Sequence, residues 1–369
     1  MSSDRIAPVF QPGVTEAVTS TRKPLKVVAI GGGTGLSTLL KGLKEYVPLP
    51  FDHSFDSHES TGPLISELTA LVTVTDDGGS SGRLRKELNM LPPGDIRNCL
   101  VALSEDEALL SRLFQYRFTG GSGLEGHNFG NLFLAALTAI TNDFAQAVRL
   151  SSAILATRGR ILPATTEDVQ ICAELDDGTH VFGETSISFS RCPIVRLQMI
   201  PADVQPLPES LTAIAEADLI TIGPGSLFTS LVPNLLVRGI PEAIAASSAV
   251  KVYICNLMTQ ANESLGLTAA DHIRVLYQHA GLPFLDYVLI NQEPVSLELR
   301  GKYAMEGAAP VICDEEAIEH LGVRTVKGNY VANDEVARHA VERLAPDLLN
   351  LTCHYHLFND ARLMQAVNC

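Results

Sequence analysis

The chain has 369 residues, and its 42 aspartates and glutamates against 27 lysines and arginines give a formal net charge of −15. This acidic balance argues against a nucleic-acid-binding protein, which would carry a basic surface. Hydrophobic residues make up 46% of the chain and charged residues 19%, which excludes an acidic disordered chain. The seven cysteines include no C-x-x-C pair, so we expect buried thiols and neither a zinc ribbon nor a redox motif.

Short apolar runs alternate with amphipathic segments along most of the chain. Strands are predicted at KVVAI, LTALVTVT, DLITIG, KVYICN and DYVLIN, and helices at residues 36–46, from about 82 onward, near 227, at 269–279 and at 335–344. This alternation is typical of parallel strands joined by helical crossovers. It predicts an α/β, doubly wound, mostly parallel sheet with helices on both faces, and ligands of such sheets bind at the carboxyl ends of the strands.

The sequence pattern also divides the chain into a folded domain, two tails and two irregular segments. Residues 1–24 are rich in Ser, Thr and Pro without periodicity, which predicts a flexible N-terminal tail, followed by a folded domain over 25–350 and a C-terminal tail over 351–369. A β-rich insertion is predicted at about 162–190, with a DDG turn inside it. Residues 51–67 are predicted to form a surface loop. Because no signal-peptide or membrane-spanning pattern is present, we expect a cytoplasmic protein without membrane insertion.

A glycine-rich turn follows the first predicted strand. It consists of Gly31, Gly32, Gly33, Thr34 and Gly35. Backbone N–H groups in such a turn can bind a phosphate at the start of the next helix. The spacing departs from G-x-G-x-x-G because Leu36 replaces the third glycine, and no acidic residue ends a strand about 20 residues later, so a nicotinamide dehydrogenase is disfavoured. A tight turn without a ligand is the alternative.

A second polar motif follows the next strand. Its residues are Asp76, Asp77, Gly78, Gly79, Ser80, Ser81, Gly82 and Arg83. Two adjacent carboxylates can hold magnesium or sugar hydroxyls, and the turn beyond them can bind a phosphate. Residues 78–82 also fit the G-x-S-x-G pattern of hydrolases with Ser80 as nucleophile, but two aspartates separate this serine from the strand, so an esterase is disfavoured. Capping of the following helix is the alternative role for one aspartate.

Two further helix starts carry polar side chains. Asp95 is expected to cap one helix, with Arg97 and Asn98 able to face a ligand, although Arg97 could also be a solvated surface charge. Three amide and imidazole side chains open a second, apolar helix: His127, Asn128 and Asn131. Such groups need partners, which a ligand or local capping could supply.

Another glycine turn follows the strand DLITI. Its polar and glycine positions are Gly223, Pro224, Gly225, Ser226 and Ser230. Asn256 and Thr259 follow the next strand and offer amide and hydroxyl groups. Two glycine-rich anion sites on one sheet predict a diphosphate ligand, or a nucleotide together with a second phosphorylated group.

Eight strings carry a family resemblance: AIGGGTGLSTLLKGLK, VTVTDDGGSSGRLR, LPPGDIRNCLVAL, GHNFGNLFLAAL, TTEDVQICAEL, GPGSLFTSL, CNLMTQ and EGAAPV. In this order, from about Lys26 to Val311, they resemble the YvcK-type gluconeogenesis factor family, a branch of the CofD-like superfamily that contains the phospholactate transferase of deazaflavin cofactor synthesis. The resemblance implies a cytoplasmic bacterial protein of Rossmann-like fold. It also implies binding of UDP-sugars such as UDP-N-acetylglucosamine, and a link between carbon metabolism, cell-wall synthesis and cell shape.

The resemblance also assigns a site. Residues 31–35, 76–83, 127–131 and 223–230 are expected to line a nucleotide-sugar cleft. The sequence departs from the family in its longer 51–67 loop, and Ala261 and Leu267 replace residues that tend to be Gly and Tyr in relatives. If that tyrosine stacks on a base or sugar, Leu267 alters the preference for the ligand.

Two functional classes follow. In the first, the protein is a regulatory module that binds a UDP-sugar and passes its state to a protein partner in cell-wall precursor synthesis. In the second, it is a transferase of a phosphorylated group, with Asp76, Asp77 and His127 as catalytic candidates and magnesium on the two aspartates. The resemblance favours regulation. We expect a homodimer and no resident cofactor beyond magnesium with a nucleotide.

Overall fold

The structure is a computed structural model that describes residues 23–48, 64–105, 107–190, 192–332 and 334–367. Ten strands are found in this part of the chain: β1 (Leu25–Gly31), β2 (Ile65–Val72), β3 (Arg160–Pro163), β4 (Gln170–Leu175), β5 (His180–Phe182), β6 (Ile194–Ile200), β7 (Leu219–Ile222), β8 (Val250–Ile254), β9 (Tyr287–Asn291) and β10 (Arg324–Gly328). They confirm the predicted α/β class.

The helices alternate with these strands. They are α1 (Gly33–Lys44), α2 (Gly79–Leu88), α3 (Gly94–Leu103), α4 (Glu107–Gln115), α5 (Phe129–Thr141), α6 (Phe144–Ile154), α7 (Glu184–Ser188), α8 (Pro208–Glu216), α9 (Val232–Leu235), α10 (Ile240–Ala246), α11 (Ala269–Ala280), α12 (Leu297–Ala304), α13 (Glu315–His320) and α14 (Val341–Val367). A π-helical turn, Leu227–Leu231, leads directly into α9. No described helix has the length and apolarity needed to cross a bilayer.

Seven strands form one parallel sheet in the order β10-β9-β8-β7-β1-β2-β3. The chain builds outward from β1 in one direction through β2 and β3, and in the other through β7 to β10. The order therefore reverses between β1 and β7, and the crevice at such a switch point is where ligands of open α/β sheets bind. The two glycine-rich turns follow these two strands.

Burial explains why the central strands are apolar along their whole length. Val27, Val28, Ala29 and Ile30 of β1 are all at most 2% exposed. A continuous apolar run of this kind is typical of a parallel strand that is covered on both faces. This matches the apolar run KVVAI, which shows no alternation of polar and apolar residues.

The β-rich insertion differs from its prediction in extent. The antiparallel sheet, β5-β4-β6, spans residues 170–200, whereas β3 pairs with β2 at the edge of the main sheet. The predicted boundaries of about 162–190 therefore included one strand of the main sheet and omitted β6. The short apolar run of β3 carries no signal that assigns it to either sheet.

The segment predicted as a C-terminal tail, residues 351–369, is helical up to Val367. Helix α14 continues through this segment to Val367, and Leu351, Thr352 and Cys353 are buried. Leu344 and Leu348 lie on the same face as Leu351, which gives a helical stripe that packs on the core. The predicted N-terminal tail and the 51–67 loop lie largely outside the described residues, and residues 65–67 of that loop belong to β2.

Candidate functional site

A cleft of about 400 Å³ opens at the switch point between β1 and β7. Its walls come from the two glycine turns, the segment after β8, helices α7 and α12, and the chain just before α14. The lining residues are Gly32, Gly33, Thr34, Gly35, Thr38, Glu184, Pro224, Gly225, Ser226, Ser230, Asn256, Leu257, Met258, Thr259, Gln260, Tyr303, Val336, Ala337, Arg338 and His339. Ten of the predicted ligand-binding residues are thus brought together in one place.

The first glycine turn, residues 31–35, is pressed against the second, residues 223–226. A methyl group on Gly35 would lie 2.4 Å from the carbonyl oxygen of Pro224, a distance that no side chain tolerates. Gly33 and Gly223 have φ angles of 62° and 82°, which favour glycine. The glycines are therefore required by backbone conformation and by the contact between the two turns, whatever they bind.

An internal carboxylate already lies at the first turn. A methyl group on Gly32 would come within 2.7 Å of Asp95 Oδ2, and the backbone N–H of Gly33 interacts with the same carboxylate. The pKa of Asp95 is raised to about 6, because burial and the charge of Asp76 outweigh the lowering effects of the Gly33 N–H and of Arg97. Asp95 lies in the first turn of α3, but its side chain does not cap that helix and instead faces α1.

Buried polar groups hold the second turn. Glu263 is 7% exposed and accepts hydrogen bonds from the Phe228 N–H (3.3 Å) and the Thr229 hydroxyl (2.9 Å). Burial raises the pKa of Glu263. The amide of Asn234 donates to the carbonyl oxygens of Gly31 (3.2 Å) and Ser230 (2.8 Å), which ties the two turns together.

The cleft is lined by both polar and apolar side chains. The Gln260 amide donates to Ser226 Oγ at 2.7 Å, so the second turn presents a hydroxyl beside an amide. Leu257 and Met258 are buried and form a small separate hydrophobic cluster with Val295 and Leu299, against which Tyr303 packs. Tyr303 also accepts a hydrogen bond from the Ala337 N–H at 3.2 Å.

Glu184 lies in the wall of the cleft, and sequence reasoning missed it. Burial, together with the neighbouring carboxylates of Asp76 and Asp95, raises its pKa to about 9. The carboxyl group is therefore neutral at pH 7 and can donate a hydrogen bond. Glu184 begins α7 in the β-rich insertion, so only the fold brings it to the glycine turns.

The predicted residues of the Asp-Gly-Ser motif form a second polar cluster. Ser80 Oγ lies 3.1 Å from His127 Nδ1 and accepts a hydrogen bond from the Asn128 N–H at 3.2 Å. Burial and the charge of Arg83 lower the pKa of His127, so its ring is neutral and can accept from the Ser80 hydroxyl. Asn128 caps α5 through the Asn131 N–H, which confirms the capping alternative.

Several residues of this second polar cluster are joined by hydrogen bonds. Arg97 donates to Asn131 Oδ1 (3.0 Å) and to Asn98 Oδ1 (2.7 Å), and the Asn131 amide donates to Ser81 Oγ (3.3 Å). Gly82 and Gly94 are required for close approach, because methyl groups there would meet the Asp77 carbonyl at 1.9 Å and Asp76 Oδ2 at 2.4 Å. Among described residues, this cluster adjoins the cleft but contributes none of its lining residues.

The two adjacent aspartates point to different neighbours. Asp76 Oδ1 accepts from the Gly78 N–H at 2.9 Å, whereas Asp77 Oδ1 accepts from both the N–H (2.8 Å) and the hydroxyl (2.6 Å) of Thr185. Asp77 Oδ2 faces Gly183, where a methyl group would lie 2.0 Å away. The two carboxylates therefore accept hydrogen bonds from different segments, and magnesium on the pair stays a prediction.

Two other sequence expectations concern the positions of Ser80 and Leu267. Ser80 is buried in the first turn of α2, and β2 ends at Val72, so the serine does not stand at a strand exit as an esterase nucleophile would. Leu267 is half-buried and packs against the main core, and it is not among the residues that line the cleft. Gln260, Tyr303 and residues 336–339 line it instead.

Comparisons with known proteins agree with this architecture. The family model described as "2-phospho-L-lactate transferase CofD" matches residues 27–331. A gluconeogenesis factor of Halalkalibacterium halodurans is 49% identical over 328 residues, covering 89% of this chain and 96% of that protein. The gluconeogenesis factor of Bacillus subtilis is 47% identical, covering 89% and 98%.

A cyanobacterial relative and a solved structure extend the comparison. A putative gluconeogenesis factor of a Nostoc species is 48% identical, covering 93% of this chain and 74% of that protein. The crystal structure of a Bacillus halodurans protein, described as a member of the UPF0052 family, matches with a TM-score of 0.81 and 49% identity, over 89% of this chain and 100% of that one. The chain therefore belongs to the CofD-like family of YvcK-type gluconeogenesis factors.

Proposed function

We propose that this protein is a cytoplasmic regulatory protein that binds a UDP-sugar of the UDP-N-acetylglucosamine type and links carbon metabolism to cell-wall synthesis and cell shape. The observation that carries the proposal is the pair of glycine turns meeting at the switch point of the sheet. The names of the relatives support it at the level of gluconeogenesis.

The polar and the apolar residues of the cleft suit the two parts of such a ligand. Thr34, Gly225 and Ser226 offer N–H and hydroxyl groups for a diphosphate. Leu257, Met258 and Tyr303 suit a planar base, since apolar and aromatic side chains pack on its faces. The volume of about 400 Å³ lies within the usual range for small-molecule sites.

Local groups must hold this anion, because the net charge of −15 repels it. The neutral Glu184 carboxyl in the wall adds no negative charge at pH 7 and can donate a hydrogen bond to a phosphate or sugar oxygen. A ligand held in this way depends on backbone and hydroxyl donors, so its affinity should fall little with salt compared with that of a polyanion.

A thermal-shift panel tests the proposal. UDP-N-acetylglucosamine, UDP-glucose and UDP are compared with NAD, GDP and phosphate. A ligand at 100 times its Kd stabilises the native state by about 2.7 kcal/mol, which raises Tm by several degrees. No stabilisation by any UDP-sugar at millimolar concentration would refute the proposal.

A single substitution tests whether the UDP-sugar binds in this cleft. Ser226→Ala removes the hydroxyl of the second glycine turn and should weaken UDP-sugar affinity about three- to tenfold. Ser111→Ala, on the surface helix α4, is the matched control and should leave the affinity unchanged. Equal affinities in the two variants would place the ligand elsewhere.

A transferase of a phosphorylated group is the second candidate, and the CofD family model over residues 27–331 favours it. The protein is incubated with a nucleotide-sugar or a nucleoside triphosphate, with and without magnesium. Turnover that depends on the protein would support this candidate. Binding without turnover would support the regulatory role and its protein partner in cell-wall precursor synthesis.

A further inference from the structure

Three arginines near the Asp-Gly-Ser motif have no ion-pair partner in the described part of the chain. They are Arg83, Arg97 and Arg117, whereas Arg85, two residues beyond Arg83 on α2, pairs with Asp168 at 2.6 Å. Their hydrogen bonds go to neutral oxygens, and Arg97 Nε is buried without a partner. Neutral acceptors orient a guanidinium group but do not neutralise its charge.

The three side chains converge on one stretch of chain. Arg83 donates to the carbonyls of Glu125 (2.6 Å) and Gly123 (3.1 Å), and Arg117 donates to that of Gly126 (2.6 Å). The stem of Arg97 lies across Gly130, where a methyl group would meet its Cγ at 2.8 Å. All three therefore border residues 123–130, the approach to α5.

Their charges act on one another. The charge of Arg117 lowers the pKa of Arg97, and those of Arg83 and Arg117 lower the pKa of His127, although burial is the largest cause for both. The charges of Asp76 and Asp95 each raise the pKa of Arg97 more than that of Arg117 lowers it, and Glu87 raises the pKa of His127. No carboxylate of a described residue forms an ion pair with the three arginines, so their N–H groups contact neutral oxygens only.

The start of α2 adds donors to the same place. Its N-cap, Gly78, supplies no side-chain cap, and Arg117 Nη1 would lie 4.0 Å from a methyl group on Gly79. An exposed guanidinium therefore stands beside the uncapped first turn of a ten-residue helix. Arg83 and Arg97 are half-buried, and Arg117 is exposed, so solvent reaches the group.

We propose that Arg83, Arg97 and Arg117 form a second anion subsite, separate from the glycine-turn cleft, that binds the phosphate group of a small phosphorylated molecule. Planar guanidinium forks bind phosphate oxygens in pairs. The proposal goes beyond nucleotide-sugar binding and does not depend on it, because the residues of this subsite do not line the cleft.

Phosphate titrations of the full chain test the subsite. Thermal stability is measured against inorganic phosphate and glycerol 2-phosphate, with sodium chloride at matched ionic strength. We expect a saturable stabilisation by both phosphates beyond that of chloride. Arg117→Gln should weaken it about tenfold, because hydrogen bonds to charged groups are strong, and Arg117→Lys should have an intermediate effect.

Two controls separate the outcomes. Arg112→Gln, an exposed arginine on α4, should leave phosphate affinity unchanged, and Ser226→Ala is measured beside it to detect phosphate that binds in the cleft. Loss of stabilisation in Ser226→Ala but not in Arg117→Gln would place the phosphate in the cleft and overturn the proposal. The absence of any phosphate-specific stabilisation of the wild type would overturn it as well. If Arg117 had only a structural role, its substitution would change Tm equally in chloride and in phosphate. The test therefore uses the difference in Tm between the two salts.

Discussion

The two glycine turns follow neighbouring strands and look alike in sequence, yet they meet different demands. In the first turn, Gly33 faces the internal carboxylate of Asp95, and Gly35 is pressed against Pro224. In the second, the backbone enters a π-helical turn held by Glu263, and Ser226 is presented to the cleft beside Gln260. A glycine-rich turn after a strand is therefore a weak sign of a phosphate site until the partners of its N–H groups are known.

The largest effect is expected where the two turns touch. Gly35→Ala would place a methyl group 2.4 Å from the Pro224 carbonyl oxygen, so the backbone must shift, at a cost of about 3 kcal/mol in the free energy of unfolding. Gly31→Ala is the matched control, because its nearest neighbours would lie 3.5 Å away, and it should cost less than about 1 kcal/mol. Chemical denaturation measures both. Equal losses would contradict the tight contact.

The support of the second turn should show the next largest effect. Glu263→Ala leaves the Phe228 N–H and the Thr229 hydroxyl without their acceptor in a buried site, which should cost about 2 kcal/mol. Glu263→Gln keeps an acceptor oxygen and should cost less. The exposed Glu242→Ala serves as control in the same denaturation experiment, and a loss as large as that of Glu263→Ala would be inconsistent with this role.

Asp95, at the first glycine turn, should make the stability of the protein depend on pH. Its folded pKa of about 6 lies above the ordinary value of 3.8, so ionisation destabilises the folded protein progressively as pH rises toward 6. Asp95→Asn cannot ionise. The free energy of unfolding of the variant should therefore gain about 1 kcal/mol on the wild type between pH 5 and pH 7.5. A constant difference across this range would show that the carboxyl is not perturbed.

Glu184 should also give an effect that depends on pH. Its folded pKa of about 9 lies above the ordinary value of 4.5, so between these values the unfolded chain ionises at this residue while the folded chain does not, and the stability of the wild type falls as pH rises. Glu184→Gln cannot ionise, so its free energy of unfolding should gain about 1 kcal/mol on that of the wild type between pH 6.5 and pH 7.5. A constant difference between the two proteins over this range, measured by denaturation, would mean that the carboxyl is not perturbed.

Local patterns predicted the parts of the molecule that lie close together in sequence. The apolar run of β1 and the turn after it are read directly from residues 26–35, and the same holds for β7 and its turn. Glu184 and Tyr303 reach the cleft from an antiparallel insertion and from α12, and nothing in their own sequence neighbourhoods indicates this position. Side-chain partnerships such as Asp95 with Gly33 also join residues remote in sequence, so periodicity cannot find them.

The C-terminal helix α14 also extends beyond what the sequence pattern predicted. Pro346 lies six residues into α14, where a proline usually argues against a helix, and the predicted helix stopped at 344. The stripe of Leu344, Leu348 and Leu351 outweighs it, because burying these side chains on the core stabilises the helix more than one missing hydrogen bond destabilises it.

Isothermal titration with UDP-N-acetylglucosamine, carried out on the wild type and on Ser226→Ala, tests the central claim most directly. We expect one ligand per chain for the wild type and a three- to tenfold weaker affinity for the variant, at unchanged stoichiometry, as a lost hydrogen bond requires. Absence of saturable heat for the wild type at millimolar ligand, or the same affinity for both proteins, would contradict the assignment of the cleft between the glycine turns.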